Sequence, residues 1–289
     1  MHASLSDNAR GAIFMVLAMT TFALEDMAIK AAASDIPVGE AVLLYGLAGT
    51  MLFALIAKAR GSQVLHPAIL SPVMVLRSGF EICGRLFFAL ALAFTPLSSA
   101  SAILQATPLI VALGAILFFG EKVGIRRWLA IILGFLGVLL ILRPGLESFE
   151  INSVFAVLAT IGFAGRDLAT RAAPVSMSPE QIGVLGFSVL TVSGAVLLAI
   201  SGGATWPTLF TWGALGMAMV SGAFAYNALT IAMRTGHLSI VAPFRYSRLL
   251  VALVLGVLVF QERPDMLSLI GSAVVVGSGI WILRLRNSD

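Results

Sequence analysis

Long apolar runs separated by short breaks occupy almost the whole chain. A membrane-spanning helix needs roughly 20 apolar residues in succession, and runs of that kind recur between breaks marked by Gly, Pro or charged residues. The pattern predicts ten helices, near residues 9–31, 38–57, 71–93, 97–119, 125–142, 151–171, 181–200, 208–232, 238–260 and 266–284. Most connections between these helices are short, which is typical of turns between packed neighbours.

Composition agrees with an all-α integral membrane protein. Of 289 residues, 59% are hydrophobic and 11% are charged, against about 45–50% and about 25% in a soluble domain, and the mean hydropathy is +1.02. The net charge is +4, but the basic residues are scattered between apolar runs, so we expect no nucleic-acid partner. The single cysteine, Cys83, lies within an apolar run and predicts neither a disulfide nor a metal or redox cofactor.

Rare charges recur at a fixed spacing and indicate an internal duplication. Asp167 lies 141 positions after Asp26, and Glu262 follows Glu121 at the same offset. We predict two domains, residues 1–145 with helices 1–5 and residues 146–289 with helices 6–10. Because each repeat holds an odd number of spans, the second enters the membrane from the opposite side. Such inverted repeats are common in secondary transporters, whose substrate site lies near the bilayer midplane between the repeats.

Lysine and arginine in the loops predict the orientation. One side receives the larger basic set, Arg10, Lys58, Arg60, Lys122, Arg126, Arg127, Arg171, Arg234, Arg284 and Arg286. The other side receives Lys30, Arg143 and Arg263. We therefore expect a multi-pass protein of a bacterial-type inner membrane, with both termini in the cytoplasm.

A few ionisable residues fall near the middle of spans, where each costs about 2.5–3.5 kcal/mol to insert. Helix 3 carries Glu81 and Arg85 one turn apart, and helix 9 carries Arg245 and Arg248. The predicted substrate-binding set adds two aromatic neighbours and comprises Glu81, Arg85, Phe244, Arg245, Tyr246 and Arg248. The alternative is that Glu81 and Arg85 only hold helices together. One acid does not neutralise three arginines, which favours an anionic group on the substrate or another acid reaching in from elsewhere.

A second set of charges lies later in helices 1 and 6. These candidate gating or coupling residues are Glu25, Asp26, Lys30, Arg166, Asp167 and Arg171. The spacing also allows a purely architectural role, with Asp26 paired to Lys30 and Asp167 paired to Arg171 one turn later. Two prolines within spans, Pro108 and Pro243, predict hinges, because each removes a backbone donor and frees a carbonyl group.

No constellation of catalytic residues is present. The three histidines, His2, His66 and His237, all lie near span ends, and the sequence contains no nucleophile elbow, zinc-protease motif or P-loop. We therefore predict neither an enzyme nor a cofactor or metal site.

Several motifs resemble the drug/metabolite transporter superfamily, in its ten-helix form with two EamA domains. The similarity is carried by residues 97–108, by Phe119-Gly120-Glu121-Lys122 and by Arg143-Pro144-Gly145. A second block, residues 242–246 with Glu262-Arg263-Pro264-Asp265, is similar, together with the Asp26 and Lys30 motif, to the S-adenosylmethionine uptake branch. The resemblance implies secondary transport, as import or export, of amino acids, nucleotide-like compounds, vitamins such as riboflavin or amphipathic toxins.

Together these observations predict an alternating-access carrier of a small polar or amphipathic metabolite, amino-acid-, nucleoside- or vitamin-like. Protonation of an acid such as Glu81 is the hypothesis for coupling to the proton gradient. Expected partners are the small-molecule substrate, protons and the lipid bilayer, and the oligomeric state is open. The alternatives are an exporter of amino acids or toxic amphipathic compounds, a channel, and a membrane structural or receptor-like subunit without transport.

Overall fold

A computed structural model describes residues 5–94, 100, 103–143, 151–260 and 264–285. Within these ranges all regular secondary structure is helical. The α-helices are α1 (Leu5–Ala32), α2 (Val38–Ala59), α3 (Pro72–Phe94), α4 (Thr107–Phe119), α5 (Ile125–Leu142), α6 (Val154–Arg171), α7 (Pro179–Ser201), α8 (Leu209–Arg234), α9 (Leu238–Val241), α10 (Ser247–Phe260) and α11 (Met266–Arg284). Three 3-10 segments lie at Pro67–Leu70, Ile151–Ser153 and Ala242–Tyr246.

Seven stretches of the described chain are long and apolar enough to cross a membrane, namely Asp7–Ile29, Val38–Ala59, Ile125–Leu142, Pro179–Ser201, Leu209–Arg234, Leu238–Leu255 and Met266–Arg284. The shorter apolar helix α4 covers part of the predicted span 97–119. The rest of that span includes residues 97–99 and 101–102, which lie outside the described residues. The all-helical prediction is confirmed, and a count of ten spans stays a prediction.

Two predicted spans, α3 and α6, each carry three charges. Those of α3 are Arg77, Glu81 and Arg85, and those of α6 are Arg166, Asp167 and Arg171. The two helices cross at glycines, because a Cβ atom placed on Gly162 would lie 2.7 Å from the Cα atom of Gly84. Glycines allow the two backbones to approach closely. The charged faces of α3 and α6 meet near this crossing, where Arg166 lies 3.6 Å from Glu81.

Helices α2 and α7 pack antiparallel along much of their length. A Cβ atom on Gly39 would lie 2.9 Å from the Cα atom of Leu198, and one on Gly194 would lie 2.6 Å from the Cα atom of Leu43. One turn further along, a Cβ atom on Gly46 would lie 2.6 Å from the amide nitrogen of Thr191. Small residues on both helices therefore allow the backbones to meet, as in membrane helix pairs generally.

Two further antiparallel pairs join the halves of the chain. Helices α5 and α11 meet where a Cβ atom on Gly137 would lie 2.9 Å from the carbonyl oxygen of Gly271. Helices α1 and α8 are joined at one end by the side-chain oxygen of Asn8, which accepts a 2.9 Å hydrogen bond from the His237 amide. At the other end Asp35 accepts a 3.3 Å hydrogen bond from the Thr208 amide. Each extensive helix pair thus combines one helix from each half.

Polar contacts at the helix ends secure these pairs. Arg143, at the end of α5, donates to Asp265, at the start of α11. Hydrogen bonds from Arg143 and Ser268 hold the pKa of Asp265 at about 2, below its usual value. The bridge therefore pairs a guanidinium group with an ionised carboxylate at neutral pH.

The predicted ninth span is broken near its start. The four-residue helix α9 passes into the 3-10 segment Ala242–Tyr246, which contains Pro243, before α10 continues. The carboxylate of Glu121 accepts hydrogen bonds of 2.8 and 3.1 Å from the Leu238 and Ser239 amides and so caps α9. Pro108 also lies at an interruption, in the first turn of α4. Both proposed hinges coincide with breaks, and their movement stays a prediction.

Candidate substrate site

Glu81 lies at the centre of a polar cluster between α3 and α6, and its side chain is 0% exposed. One carboxylate oxygen is 3.2 Å from a guanidinium nitrogen of Arg77, and the other is 3.5 Å from Arg85. Arg166 on α6 lies 3.6 Å from the latter oxygen. Three cations from two helices therefore surround one buried acid.

Tyr226 and Thr170 complete the hydrogen bonding around Glu81. The Tyr226 hydroxyl group donates a 3.2 Å hydrogen bond to the carboxylate and accepts one from Arg77. Arg77 also donates from Nε to the Thr170 hydroxyl group at 3.0 Å. Buried charges are costly unless they are paired and hydrogen-bonded. This closed part of the cluster meets that requirement, and Tyr226 brings α8 into it.

Asp167 extends the cluster to the broken helix. It accepts hydrogen bonds of 3.0 and 2.8 Å from its neighbour Arg166 and a further one from Arg245 in the 3-10 segment. We call Arg77, Glu81, Arg85, Arg166, Asp167 and Arg245 the charge network. It joins α3 of the first half to α6 and the 3-10 segment of the second half.

An ion pair with greater exposure lies beside the charge network. Arg248, at the start of α10, donates from Nε to Asp26 of α1 at 3.0 Å, and its guanidinium group lies 5.5 Å from the ring centre of Phe22. The side chains of Asp26 and Arg248 are 55% and 35% exposed, whereas Arg77 and Glu81 are almost fully buried. The cluster therefore has a closed part, around Arg77 and Glu81, and an open part, with Asp26, Arg248 and the partly exposed Arg85.

Beside the open part, two side-chain atoms have no hydrogen-bond partner in the described chain. They are Oε2 of Glu25 and Nε of Arg85, and both are buried. More than about 90% of buried polar groups in proteins are hydrogen-bonded, so these two atoms are unusual.

The structure brings four of the six predicted substrate-binding residues into this cluster, namely Glu81, Arg85, Arg245 and Arg248. Asp167 and Asp26 bind Arg245 and Arg248. The alternative of acids reaching in from elsewhere is thus observed for these two arginines.

Phe244 and Tyr246 point elsewhere. Phe244 packs with Ala130 and Ile282 in an apolar cluster. Tyr246 is buried against Gly134, between α5 and α11. Within the described residues no hydrogen bond, aromatic contact or cation–π contact joins either ring to the charge network. Successive residues of a 3-10 helix point about 120° apart, so both rings face away from Arg245. Substrate contact by these rings stays a prediction.

The predicted pairing of Asp167 with Arg171 is wrong. Asp167 binds Arg166 and Arg245, while Arg171 donates to the Met233 carbonyl oxygen at 3.4 Å. The reason is that Arg245 approaches Asp167 from another helix and replaces the neighbour on the same helix. The side chain of Lys30, the expected partner of Asp26, lies outside the described residues.

Sequence reasoning missed Arg77, Thr170 and Tyr226. Arg77 precedes Glu81 by one helical turn, and that spacing could have identified it. Tyr226 is one of three tyrosines in the chain, and all three are buried. A tyrosine in an apolar span needs a partner for its hydroxyl group, which was the available signal. Thr170 offered none, because threonine is common in helices of membrane proteins.

Replacing Tyr226 by phenylalanine should destabilise the closed part of the cluster. The hydroxyl group that bridges Arg77 and Glu81 would be lost, and an unsatisfied buried group costs about 1–3 kcal/mol. We expect a lower apparent Tm in detergent, measured by size-exclusion chromatography after heating. Tyr246→Phe is the matched control, because its hydroxyl group has no partner in the described chain. Equal losses in both variants would contradict the assigned bridge.

Comparison with known proteins identifies the family. The sequence model of the EamA-like transporter family matches residues 9–143 and, a second time, residues 151–284. The chain belongs to the EamA-like transporter family. The double match confirms the two-repeat architecture and the resemblance to drug/metabolite transporters, and it points to a transporter rather than an enzyme.

Named relatives of this EamA protein are transporters. An S-adenosylmethionine uptake transporter of Rickettsia bellii is 27% identical over 73% of this chain and 72% of its own length. The pseudopaline exporter CntI of Pseudomonas aeruginosa is 26% identical over 96% of each chain. A riboflavin transporter of Rhizobium johnstonii is 30% identical over 67% of this chain and 64% of its own. The names include both uptake and export.

A solved crystal structure shares the fold. It superposes with a TM-score of 0.81 at 19% identity, covering 96% of this EamA chain and 97% of its own. At that level of identity the likeness shows the arrangement of helices and nothing about the substrate.

Proposed function

We propose that this EamA protein is a secondary active carrier that moves a small polar or amphipathic metabolite across the inner membrane by alternating access. The observation that carries the proposal is the cluster of charges between the two halves, closed on one side and open on the other. The open part, with Asp26, Arg248 and Arg85, is where substrate binds. A lipid-facing or purely structural charge cluster has no need for exposed ionised groups at its edge.

The helix pairs support ten spans arranged as two inverted repeats. Helices α2 and α7 begin at residues 38 and 179, and α5 and α11 begin at residues 125 and 266, both at the offset of the sequence repeat. Equivalent helices thus pack antiparallel, which is what inversion requires. We propose that α3, α4 and α6 also cross the bilayer, with both termini cytoplasmic, and that residues 1–145 and 146–289 are the two repeats.

Carrier function is testable by counterflow in proteoliposomes. Vesicles loaded with unlabelled S-adenosylmethionine or riboflavin should accumulate the labelled compound transiently and saturably if it is a substrate. Both compounds are chosen because relatives are named for their transport. The direction of transport in cells is a separate question, because one relative is named an exporter.

Replacing Arg248 by glutamine should abolish counterflow while leaving the protein folded. Its ion pair with Asp26 lies in the open part of the cluster, and exposed pairs contribute only about 0–1 kcal/mol to stability. Arg60→Gln is the matched control, because Arg60 pairs with Glu180 at a helix end, away from the cluster. Unchanged flux in Arg248→Gln would remove this residue from the substrate path.

The rival function is a structural or receptor-like membrane subunit whose buried charges only hold helices together. The complete hydrogen bonding of Arg77 and Tyr226 around Glu81 favours it for the closed part alone. Folded protein that shows no flux with any compound, and misfolds when Arg245 is replaced by leucine, would support the rival.

Coupling to protons is a further part of the proposal. Protonation of Glu81 would weaken its attraction for guanidinium groups on both α3 and α6 and so change how the halves pack. Uptake should therefore respond to an imposed pH gradient. The same rate with and without a gradient would remove proton coupling and leave the carrier proposal intact.

A further inference from the structure

Glu25 and Arg85, two residues of opposite charge type, each have a buried side-chain atom without a hydrogen-bond partner in the described chain. Oε2 of Glu25 is a buried acceptor, and Nε of Arg85 is a buried donor. Ordinary helix packing leaves few such atoms unsatisfied. A ligand that supplies a donor to one and an acceptor to the other would satisfy both.

Glu25 differs from the other acids of the cluster. Asp26, Glu81 and Asp167 each lie within ion-pair distance of an arginine. Among the described residues no cation lies within 4.0 Å of the Glu25 carboxylate. Oε2 of Glu25 is therefore available to a cationic donor supplied by a ligand.

Arg85 is only partly engaged. Its one ion pair in the described chain is a 3.5 Å contact with Glu81. That acid already has Arg77 and Tyr226 at 3.2 Å, so it does not depend on Arg85. The Arg85 side chain is also 30% exposed. It can therefore turn its guanidinium group to an incoming anion without disrupting the closed part of the cluster.

Glu25 and Arg85 interact electrostatically. The charges that act on the Glu25 carboxyl group come from Asp26 on its own helix, from Arg248 at the start of α10 and from Arg85 on α3. Tyr45 on α2 lies near both Glu25 and Arg85. Arg85, which can bind an anion, and Glu25, which can bind a cation, are thus within electrostatic range of each other on different helices, and Glu25 directly precedes the exposed Asp26.

We propose that Glu25 and Arg85 bind the zwitterionic head group of an amino acid. The ammonium group donates to Oε2 of Glu25, and the carboxylate accepts from Nε of Arg85, both as charge-assisted hydrogen bonds. The substrate class is therefore free amino acids and larger metabolites that keep an α-ammonium and an α-carboxylate group, S-adenosylmethionine included. Riboflavin, which has neither group, falls outside this class. The inference rests on the proposed carrier function.

The first test uses the wild-type protein in detergent and the shift in apparent Tm on ligand addition. The probes are the twenty L-amino acids and S-adenosylmethionine, each beside its carboxylate-blocked methyl ester and its N-acetyl derivative, with riboflavin for comparison. At least one zwitterion should bind, and blocking either charge should weaken its binding about tenfold or more. This test needs no variant, so a folding defect does not affect it.

The second test assigns each charge to its residue. In Glu25→Gln the zwitterion should bind no more tightly than its N-acetyl derivative. In Arg85→Gln the zwitterion should bind no more tightly than its methyl ester. Glu180→Gln is the control, because that acid pairs with Arg60 at a helix end. If Glu25 and Arg85 only neutralise each other, both variants will lower the Tm without changing this ligand preference, and the inference fails.

The remaining outcomes separate this inference from the carrier proposal. Binding and counterflow of riboflavin, with no response to any zwitterion, would overturn the amino-acid head group and leave the carrier standing. Absence of both binding and counterflow for all probes would count against the carrier itself.

Discussion

Replacing Glu81 by alanine should produce the largest loss of stability of any single substitution in the charge network. The variant would leave the guanidinium groups of Arg77, Arg85 and Arg166 without their shared acid, two of them almost fully buried. Breaking a buried ion pair by removing one partner costs about 3–5 kcal/mol. We expect little monodisperse protein after detergent extraction, and a clearly reduced apparent Tm for what remains.

A second substitution shows whether the lower stability of Glu81→Ala comes from unpaired buried charge or from lost packing. Arg77→Met in the Glu81→Ala background removes the most deeply buried of the stranded cations and should recover part of the lost Tm. Glu180→Ala, which breaks a pair with an exposed arginine, should cost no more than about 1 kcal/mol. Equal losses for Glu81→Ala and Glu180→Ala would contradict the central place of Glu81.

Replacing Gly194 by alanine should separate α2 from α7 and reduce stability strongly. The new Cβ atom would lie 2.6 Å from the Cα atom of Leu43, and backbone cannot move aside as a side-chain tip can. Overpacking of this kind costs about 1–3 kcal/mol. We expect a fall in apparent Tm of several degrees, measured by thermal denaturation in detergent.

Gly216→Ala is the matched control for Gly194→Ala. It makes the same change within α8, and no atom lies within 4 Å of the added Cβ position. Alanine is favoured over glycine inside a helix by about 1 kcal/mol, so the Tm should stay level or rise. A similar fall in both variants would show that the effect is not one of contact with α2.

The sequence alone predicted most of the helices and four residues of the candidate site. Helix α5 and helix α11 were predicted with the bounds that the structure shows, because a loop of polar residues, Gly or Pro marks each end. Charges inside apolar spans identified Glu81, Arg85, Arg245 and Arg248, because each such charge demands a partner or a function.

The partners of those charges could not be predicted in the same way. Arg245 binds Asp167 over a separation of 78 residues, and Arg248 binds Asp26 over 222 residues. Local spacing favoured the neighbour one turn away, Arg171 for Asp167, yet tertiary packing brought a different cation closer. Tyr246 follows Arg245 directly, but the 3-10 geometry turns its ring toward Gly134.

The three charges on each of α3 and α6 bear on how the protein enters the bilayer during synthesis. Each charge costs about 2.5–3.5 kcal/mol at the centre of a lone helix, and α3 emerges from the ribosome well before α6, the helix that covers its charged face. Helix α3 should therefore remain at the insertion machinery, or at the membrane surface, until the second repeat has been made. A truncated chain ending at residue 145 should be recognised as incompletely inserted and degraded, whereas the two halves produced together should rescue each other.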